Sequence, residues 1–559
     1  MNKYLRCKTT FIFFFIFIAF SAVLADDRTD KVDKLFASWN KLDSPGCALA
    51  IIQDGRIIHK KGYGLANLEN GIPITPKSVF YIGSVSKQFV SFCIALLAQE
   101  GKLSLDDDIR KYVPEIPDYG TPITIRHLIH HTSGLRDYLE LEGIAGIPMG
   151  SYHEQDVLEL LSRQKELNFM PGEQYLYSNS GYFLLGVIVR KASGKPLRQF
   201  AEENIFDPLG MENSYFHDDY RRLIKNRASG YFPAGKEKFR NFITTFDCVG
   251  SGGLFTSVED LYLWDQNFYS RKVGGKEVFE LMHTQGTLNN GKKLDYAFAV
   301  VIGEYKGLKT VGHGGALGGY RSAFLRFSEQ KFSVICLSNL SSLDPMGLAR
   351  KVADIYLADQ FRDKPEPEAK PSSKPRFIKL SEKQLKDKVG AYINHNTFTL
   401  RNILFGDGRL LIEASGQKFP LEPVSETEFV MLEAPVQATV KFEIRGKDRP
   451  ILLHVYQEGE IPATYEAFER IKPSSEQLTE YEGDYTSEEL LVTLRIALEK
   501  GRLRFVHRDA PALPLLPMLQ DKFTCGSFKI HFLRDEEKRI MGFTLDSGRV
   551  KNLRFAKKA

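Results

Sequence analysis

Ser84 and Lys87 stand three residues apart in FYIGSVSKQ (80–88), where a long apolar helix is expected to begin. From Val85 the pattern Val85, Phe89, Cys93, Leu96 and Leu97 keeps one helical face apolar as far as Gly101. Residues i and i+3 share a helical face, so the hydroxyl and the amine point the same way. A serine hydroxyl is a poor nucleophile until something takes its proton. A lysine in an apolar helix can take it, because desolvation disfavours the charged form and lowers its pKa. A helix N-terminus also offers unpaired N–H groups and partial positive charge to a developing oxyanion. Ser-x-x-Lys by itself equally describes a surface serine beside a solvated lysine, so its meaning depends on partners elsewhere in the chain.

Several elements would have to position this pair. Asp26 to about Asn40 reads as a first helix. Two apolar runs, Cys47–Gln53 and Arg56–Tyr63, flank Asp54-Gly55, a strong hairpin signal. Thr124 is placed to cap a short helix running to His131. Further helices are expected over 156–164, 182–192, from Pro196, from a cap at Ser257, and over 346–361. Strand-like runs fall at 297–304, 307–313, 320–327 and 332–338, while 215–250 resist assignment. Early and late strands around a block of helices predict an α+β domain whose sheet is built from both chain ends.

The chain has 559 residues, 43% hydrophobic and 26% charged, as in ordinary globular protein. Its formal charge of +5 includes Lys3, Arg6 and Lys8 of a leader, and no basic stripe marks nucleic-acid binding. Residues 1–25 read as a secretory signal: a basic start, an apolar run from Phe11 to Phe20, then small residues ending at Ala25. The run is short for a membrane span, which needs about 20 residues. The protein is therefore expected to be exported, periplasmic or secreted, with no stable membrane span after cleavage. Beyond the leader, Cys47, Cys93, Cys248, Cys336 and Cys525 are scattered among apolar residues and read as buried free thiols. His127, His130 and His131 have helical spacing, but no carboxylate or cysteine completes a zinc set. No metal or cofactor is expected.

The domain expected over 26–361 gives way to a linker, 362–379, with four prolines among lysines and serines. Beyond it the chain repeats itself. Gln384-Leu385 recurs as Gln477-Leu478, Gly390-Ala391-Tyr392 as Gly483-Asp484-Tyr485, and Gly408-Arg409-Leu410 as Gly501-Arg502-Leu503. Short strands alternate with glycine turns in both copies, predicting two small all-β, barrel-like domains at 380–472 and 473–559.

Motifs in order carry a specific resemblance. Ser84-Val85-Ser86-Lys87 is followed by Thr124-Ile125-Arg126-His127-Leu128 and His131-Thr132-Ser133-Gly134-Leu135. Then come Pro171-Gly172, Tyr177-Ser178-Asn179, Gly250-Ser251-Gly252-Gly253-Leu254 and His313-Gly314-Gly315. Over about residues 45–345 the chain resembles the serine β-lactamase/penicillin-binding-protein superfamily, in its class C-like branch of esterases and D-aminopeptidases. The resemblance implies a β-lactamase/transpeptidase-like fold, with Ser84 as nucleophile and Lys87 and Tyr177 sharing proton traffic. A nearby lysine charge would lower the pKa of Tyr177 for that task. It also implies that Asn179 binds Lys87 and substrate, that Gly315 admits substrate backbone, and that the amides of Ala316 and Ser84 form an oxyanion hole. His313 stands where the family often has lysine. A mostly neutral histidine favours esters, amides or peptides with an amino-terminal D-residue over substrates with a free carboxylate at that position. The expectation is an exported serine hydrolase acting on a small peptide or ester. The alternatives are a β-lactamase or penicillin-binding carboxypeptidase, and a non-catalytic protein that binds cell-wall peptides.

Overall fold

A computed structural model describes residues 28–558 apart from 236–237, 244, 362–376, 395–398, 415–416, 434–437, 445–450, 458–462 and 507–510. The leader at 1–25 and most of the linker lie outside the described residues. The chain divides into two compact units, Met1–Lys364 with Arg549–Lys551, and Pro365–Gly548 with Asn552–Ala559.

The first unit is built on a six-stranded antiparallel sheet. We number its strands β1 (Cys47–Gln53), β2 (Arg56–Tyr63), β3 (Val301–Tyr305), β4 (Leu308–Leu317), β5 (Tyr320–Phe327) and β6 (Phe332–Ser338). Their order is β3-β4-β5-β6-β1-β2, so the early hairpin docks onto the late strands. β1 pairs with β6 from Cys47↔Ser338 to Gln53↔Phe332. The β1–β2 turn places Asp54 and Gly55 at φ 48° and 75°, the conformation that Asp-Gly adopts most readily in a two-residue hairpin. The first helix (28–36) and the helix Pro345–Tyr356 contribute to a core on this sheet, where Val32, Phe36, Leu348 and Val352 meet Leu49, Ile51, Val334 and Cys336.

The nucleophile helix, Lys87–Gln99, follows a 3₁₀ turn at Gly83–Ser86. It is buried from Lys87 to Leu97 and not on one face alone. Gln88 and Ser91, polar in sequence, find partners inside, although Gln88 Nε2 is buried without one. The Gln88 carbonyl accepts from Trp264 Nε1 at 3.2 Å, and Ser91 Oγ lies 3.2 Å from Tyr182 Oη. Trp264 packs on Phe89 with the rings tilted by 36° and meets Phe92 edge-on, at centroid distances of 4.5 and 5.0 Å.

Several expected boundaries move. The run expected as strand from 297 first turns back, with Ala299 at φ 57°, and β3 begins at Val301. β4 continues four residues past His313, to Leu317. Helices at Tyr138–Ala145 and Gly275–Met282 were not anticipated, and the helix expected at 156–164 spans Glu154–Ser162. Within 215–250 the chain forms Tyr215–Phe216, paired with Leu254–Thr256, and a hairpin of Gly230–Pro233 with Phe239–Phe242.

The second unit holds an eight-stranded closed antiparallel barrel, from Gly390–Asn394 to Ala463–Phe468, and a nine-stranded antiparallel sheet whose strands fall between Gly483 and Lys557. The duplication is physical as well as textual. Each copy opens with a short helix under a capping box, Ser381 with Gln384 and Ser474 with Gln477, and the next residue, Leu385 or Leu478, is buried. Tyr392 donates to Lys388 O and Tyr485 to Tyr481 O, both at 2.8 Å. Both copies turn a hairpin on a residue pair with positive φ, Asp407-Gly408 and Lys500-Gly501. Cys47, Cys93, Cys248, Cys336 and Cys525 are free and buried. Among the described residues no helix is long and apolar enough to cross a membrane.

Candidate active site

Gly83 delivers Ser84 to the end of the sheet. Its φ of 54° suits glycine, and a Cβ there would come within 2.5 Å of Ala316 N on β4. The turn and the strand edge are thus in backbone contact. Gly315 is equally constrained: a Cβ would fall 2.0 Å from Ile82 O and 2.4 Å from Ser322 Oγ, which donates to Ile82 O at 2.6 Å. This close approach brings the Ser84 turn beside the amide of Ala316.

Lys87 is fully buried one helical turn on. Its Nζ lies 3.0 Å from Ser84 Oγ, 2.9 Å from Asn179 Oδ1 and 2.5 Å from Ser251 O. Burial drives its pKa well below the ordinary lysine range, against the attraction of Asp137. A neutral amine has two N–H bonds and one lone pair. The carbonyls of Asn179 and Ser251 accept the two hydrogens, and the lone pair is left facing Ser84 O–H.

Asn179 opens the helix Asn179–Ser193. Its backbone N and its Nδ2 both donate to Asp137 Oδ2, at 2.7 and 3.0 Å, which turns Oδ1 toward Lys87. Asp137 is also the N-cap of Tyr138–Ala145, accepting from Leu139 N and Glu140 N. Sequence reading missed it, although an aspartate ahead of Tyr-Leu-Glu carries a helix-cap signal. From that helix Tyr138 Oη reaches Ser251 Oγ at 2.8 Å.

Tyr177 is where an expectation fails. The lysine was to lower its pKa, but burial raises it well above the usual tyrosine range, opposed chiefly by the Ser84 hydroxyl. With Lys87 itself driven toward neutrality, the Arg549 guanidinium, 5.9 Å from the ring centroid, offsets only a small part of the burial effect, and Tyr177 is a neutral phenol beside the nucleophile. Its ring packs on His131, centroids 4.1 Å apart. His131 Nδ1 accepts from Ser178 N at 3.1 Å, so this imidazole is tied to the loop carrying Tyr177. The short helix spans Ile125–Ile129, ending before His131, and its His127 belongs to the cap: Thr124 N donates to its Nδ1, and its own N donates to Thr124 Oγ1. Among the described residues no group of three His, Cys, Asp or Glu side chains is placed to hold a metal.

On β4, His313 Nδ1 is 2.5 Å from Gly314 O, which can only accept, so Nδ1 carries the proton. Nε2 then accepts from Tyr296 Oη at 3.1 Å. Burial pushes the pKa of His313 down to about 4, so it is neutral at pH 7. Ser84, Tyr177, Asn179, His313, Gly315 and Ala316 all line one cleft of about 550 Å³, with Lys87 behind it.

Comparison with known proteins agrees with this constellation. A family model described as Beta-lactamase matches residues 32–358. Penicillin-binding protein 4* of Bacillus subtilis (strain 168) is 30% identical over 458 residues, 78% of this chain and 98% of that protein. The D-aminopeptidase of Brucella anthropi is 25% identical over 521 residues, 90% of this chain and 93% of that protein. Among solved structures, the octameric penicillin-binding protein homologue from Pyrococcus abyssi superposes with a TM-score of 0.54 at 26% identity, covering 79% of this chain and 99% of that one. The chain belongs to the beta-lactamase family and is a serine hydrolase homologous to D-aminopeptidases and penicillin-binding proteins.

Proposed function

We propose that Ser84 forms an acyl-enzyme with amide or ester substrates, small peptides containing D-residues foremost. The observation that carries this reading is the Lys87 amine, buried, with two carbonyls for its hydrogens and Ser84 Oγ at 3.0 Å. Lys87 takes the hydroxyl proton as Oγ attacks the carbonyl carbon. The amides of Ser84 and Ala316 hold the oxyanion, an arrangement in which losing one donor typically costs on the order of 3 kcal/mol of barrier. Tyr177, a neutral phenol, passes a proton to the departing amine or alcohol and recovers one from the Lys87–Ser84 pair. Water then attacks the acyl group by the reverse relay and releases the acid.

The preference for D-residues rests on the relatives named as D-aminopeptidases. The neutral His313 speaks against a lysine-like anchor at that position. Export is proposed from the basic, apolar and small-residue pattern of 1–25. The test is a fluorophosphonate probe together with paired hydrolysis of a D-alanine anilide and a short-chain p-nitrophenyl ester. Ser84 should be labelled, and Ser84→Ala should lose labelling and both activities with its fold intact. A folded Ser84→Ala variant with full activity would sink the assignment. Ester cleavage without anilide cleavage would replace peptidase by esterase.

A further inference from the structure

Arg549 belongs to the first compact unit and lines the cleft beside Tyr177. Its guanidinium reaches the carboxylate that organises the base. Nη1 lies 3.2 Å from Asp137 Oδ2, and the Asp137 side chain is fully buried. Nε donates to Glu140 Oε1 at 3.3 Å, and the Arg549 backbone N donates to Glu140 Oε2 at 2.6 Å. Arg549 O accepts from Asn168 Nδ2 at 2.9 Å and from Asp137 N at 3.2 Å. The main chain here is thus anchored by bonds in which the guanidinium has no part.

Asp137 Oδ2 holds Asn179 by two hydrogen bonds, and Asn179 Oδ1 in turn holds Lys87. The carboxylate is approached by N–H donors: Asn179 N and Nδ2, Leu139 N, Glu140 N and Arg549 Nη1. That surrounding suits the ionised form, which only accepts. An anion so close favours the ammonium form of Lys87, the form that cannot take a proton from Ser84. The site therefore needs Asp137 for its geometry and is opposed by its charge. The other titratable groups facing Lys87 do not offset it. Burial keeps Tyr177 and Tyr182 as phenols, and His131 and His313 as neutral imidazoles. Among the described residues, the positive charge set against Asp137 at Lys87 is that of Arg549.

We infer that Arg549 is a positioning residue for the base: paired with Asp137, it lets that buried carboxylate orient Asn179 without drawing a proton onto Lys87. The assignment of Lys87 as the base rests on the proposed acyl-enzyme reading. The competing account is that the Arg549 side chain only ties its segment to the helix Tyr138–Ala145.

The experiment uses the full-length protein. The rate at which a fluorophosphonate labels Ser84 is followed across pH in the unaltered protein, in Arg549→Gln and in Arg549→Lys. Protonated Lys87 cannot activate Ser84, so each profile has an acid limb. In Arg549→Gln the charge of Asp137, joined by that of Glu140, is uncompensated, and the ammonium form gains. The limb should move up by about one pH unit or more, with labelling down about tenfold on the limb and restored on the alkaline plateau. Arg549→Lys keeps the charge and should keep the limb close to its original place. A loss of rate that is equal at every pH, an unmoved limb in Arg549→Gln, or a limb displaced as far by lysine as by glutamine would each overturn the inference. If Arg549→Gln does not fold, Glu140→Gln removes a negative charge from the other side of the guanidinium and should move the limb down; a limb that stays or rises overturns the inference. The carbon-13 signal of the Lys87 ε-carbon, assigned by its absence from Lys87→Arg, is titrated separately. A midpoint that rises in Arg549→Gln without any labelling of Ser84 would remove the acyl-enzyme reading and keep the charge balance. Labelling whose acid limb ignores Arg549→Gln would do the reverse.

Discussion

The imidazole of His131 lies on the phenol of Tyr177, centroids 4.1 Å apart and planes 35° from parallel, while its Nδ1 accepts the Ser178 amide. His131 also has φ 58°, a left-handed backbone uncommon outside glycine, though less so for asparagine, aspartate and histidine than for other residues. Strain of that kind persists where surrounding contacts over-determine it. His131→Asn tolerates the backbone but removes the wall behind Tyr177. We expect kcat to fall about 10- to 100-fold with KM little changed, as for a weakened general acid–base step. His131→Phe keeps the ring, strains the backbone and orphans Ser178 N–H, and should lower unfolding stability by about 1–3 kcal/mol in urea titrations.

Lys87 must be neutral to act as a base, and burial has already moved it that way. Activity should therefore be present at neutral pH and disappear as pH falls through a pKa far below that of free lysine. Lys87→Arg places an always-protonated group in the same space and should cost 10²-fold or more in kcat/KM. A kcat/KM profile with its acid limb near pH 10, or an active arginine variant, would remove the role.

Glu142 and His313 should pull stability in opposite directions. Glu142 is buried with Oε2 unpartnered, and burial raises its pKa from 4.5 to about 9. The folded state holds that proton while the unfolded state releases it, so stability is lost as pH rises from about 4.5 toward 9. Glu142→Gln imitates the protonated acid and should raise Tm by an increment that grows across this window. His313 is depressed from 6.5 to about 4, so its contribution is present above 6.5 and lost as pH falls through 4. His313→Asn should flatten the acid side of the Tm–pH curve, and Glu142→Gln the alkaline side.

Two glycines make a matched pair of opposite sign. Gly83→Ala meets Ala316 N at 2.5 Å from a positive-φ residue and should cost about 2–4 kcal/mol and most activity. Gly143 sits exposed in the helix Tyr138–Ala145, and a Cβ there meets nothing within 4 Å. Gly143→Ala should stabilise by about 0.5–1 kcal/mol, read as a shift in the urea midpoint at constant m.

The two copies in the second unit should respond alike. Tyr392→Phe and Tyr485→Phe each delete one buried 2.8 Å hydrogen bond to a carbonyl four residues back. Each should cost about 1 kcal/mol. A large asymmetry between them would mean that the hydrogen bonds, though repeated, are not equivalent in energy.

What could be read ahead was local. The Asp54-Gly55 turn, the Thr124 and Ser257 caps and the Ser84–Lys87 spacing are settled within a few residues, and each is found as expected. What could not be read depends on neighbours distant in the chain. Gln88 and Ser91 are polar in sequence, and nothing local announces the buried bonds that the Gln88 carbonyl makes to Trp264 and the Ser91 hydroxyl to Tyr182. Asp137 was passed over in the sequence, and its part in the site comes from Asn179, 42 residues later, which donates two hydrogen bonds to it. The direction of Tyr177's shift turned on burial, which motif spacing does not report.

The pairing of β1 with β6 fixes an order of events during synthesis. Cys47–Gln53 can take its place beside Phe332–Ser338 only after the intervening segment has been made. At typical elongation rates that interval is on the order of half a minute. The nucleophile helix is synthesised early and must wait through it. Its apolar sides, buried in the finished molecule, lack late partners such as Trp264 for much of that time, and such long-range closure is intrinsically slow. A nascent chain of this kind is a natural client for a holding chaperone, and its vulnerable period ends when residue 338 clears the ribosome.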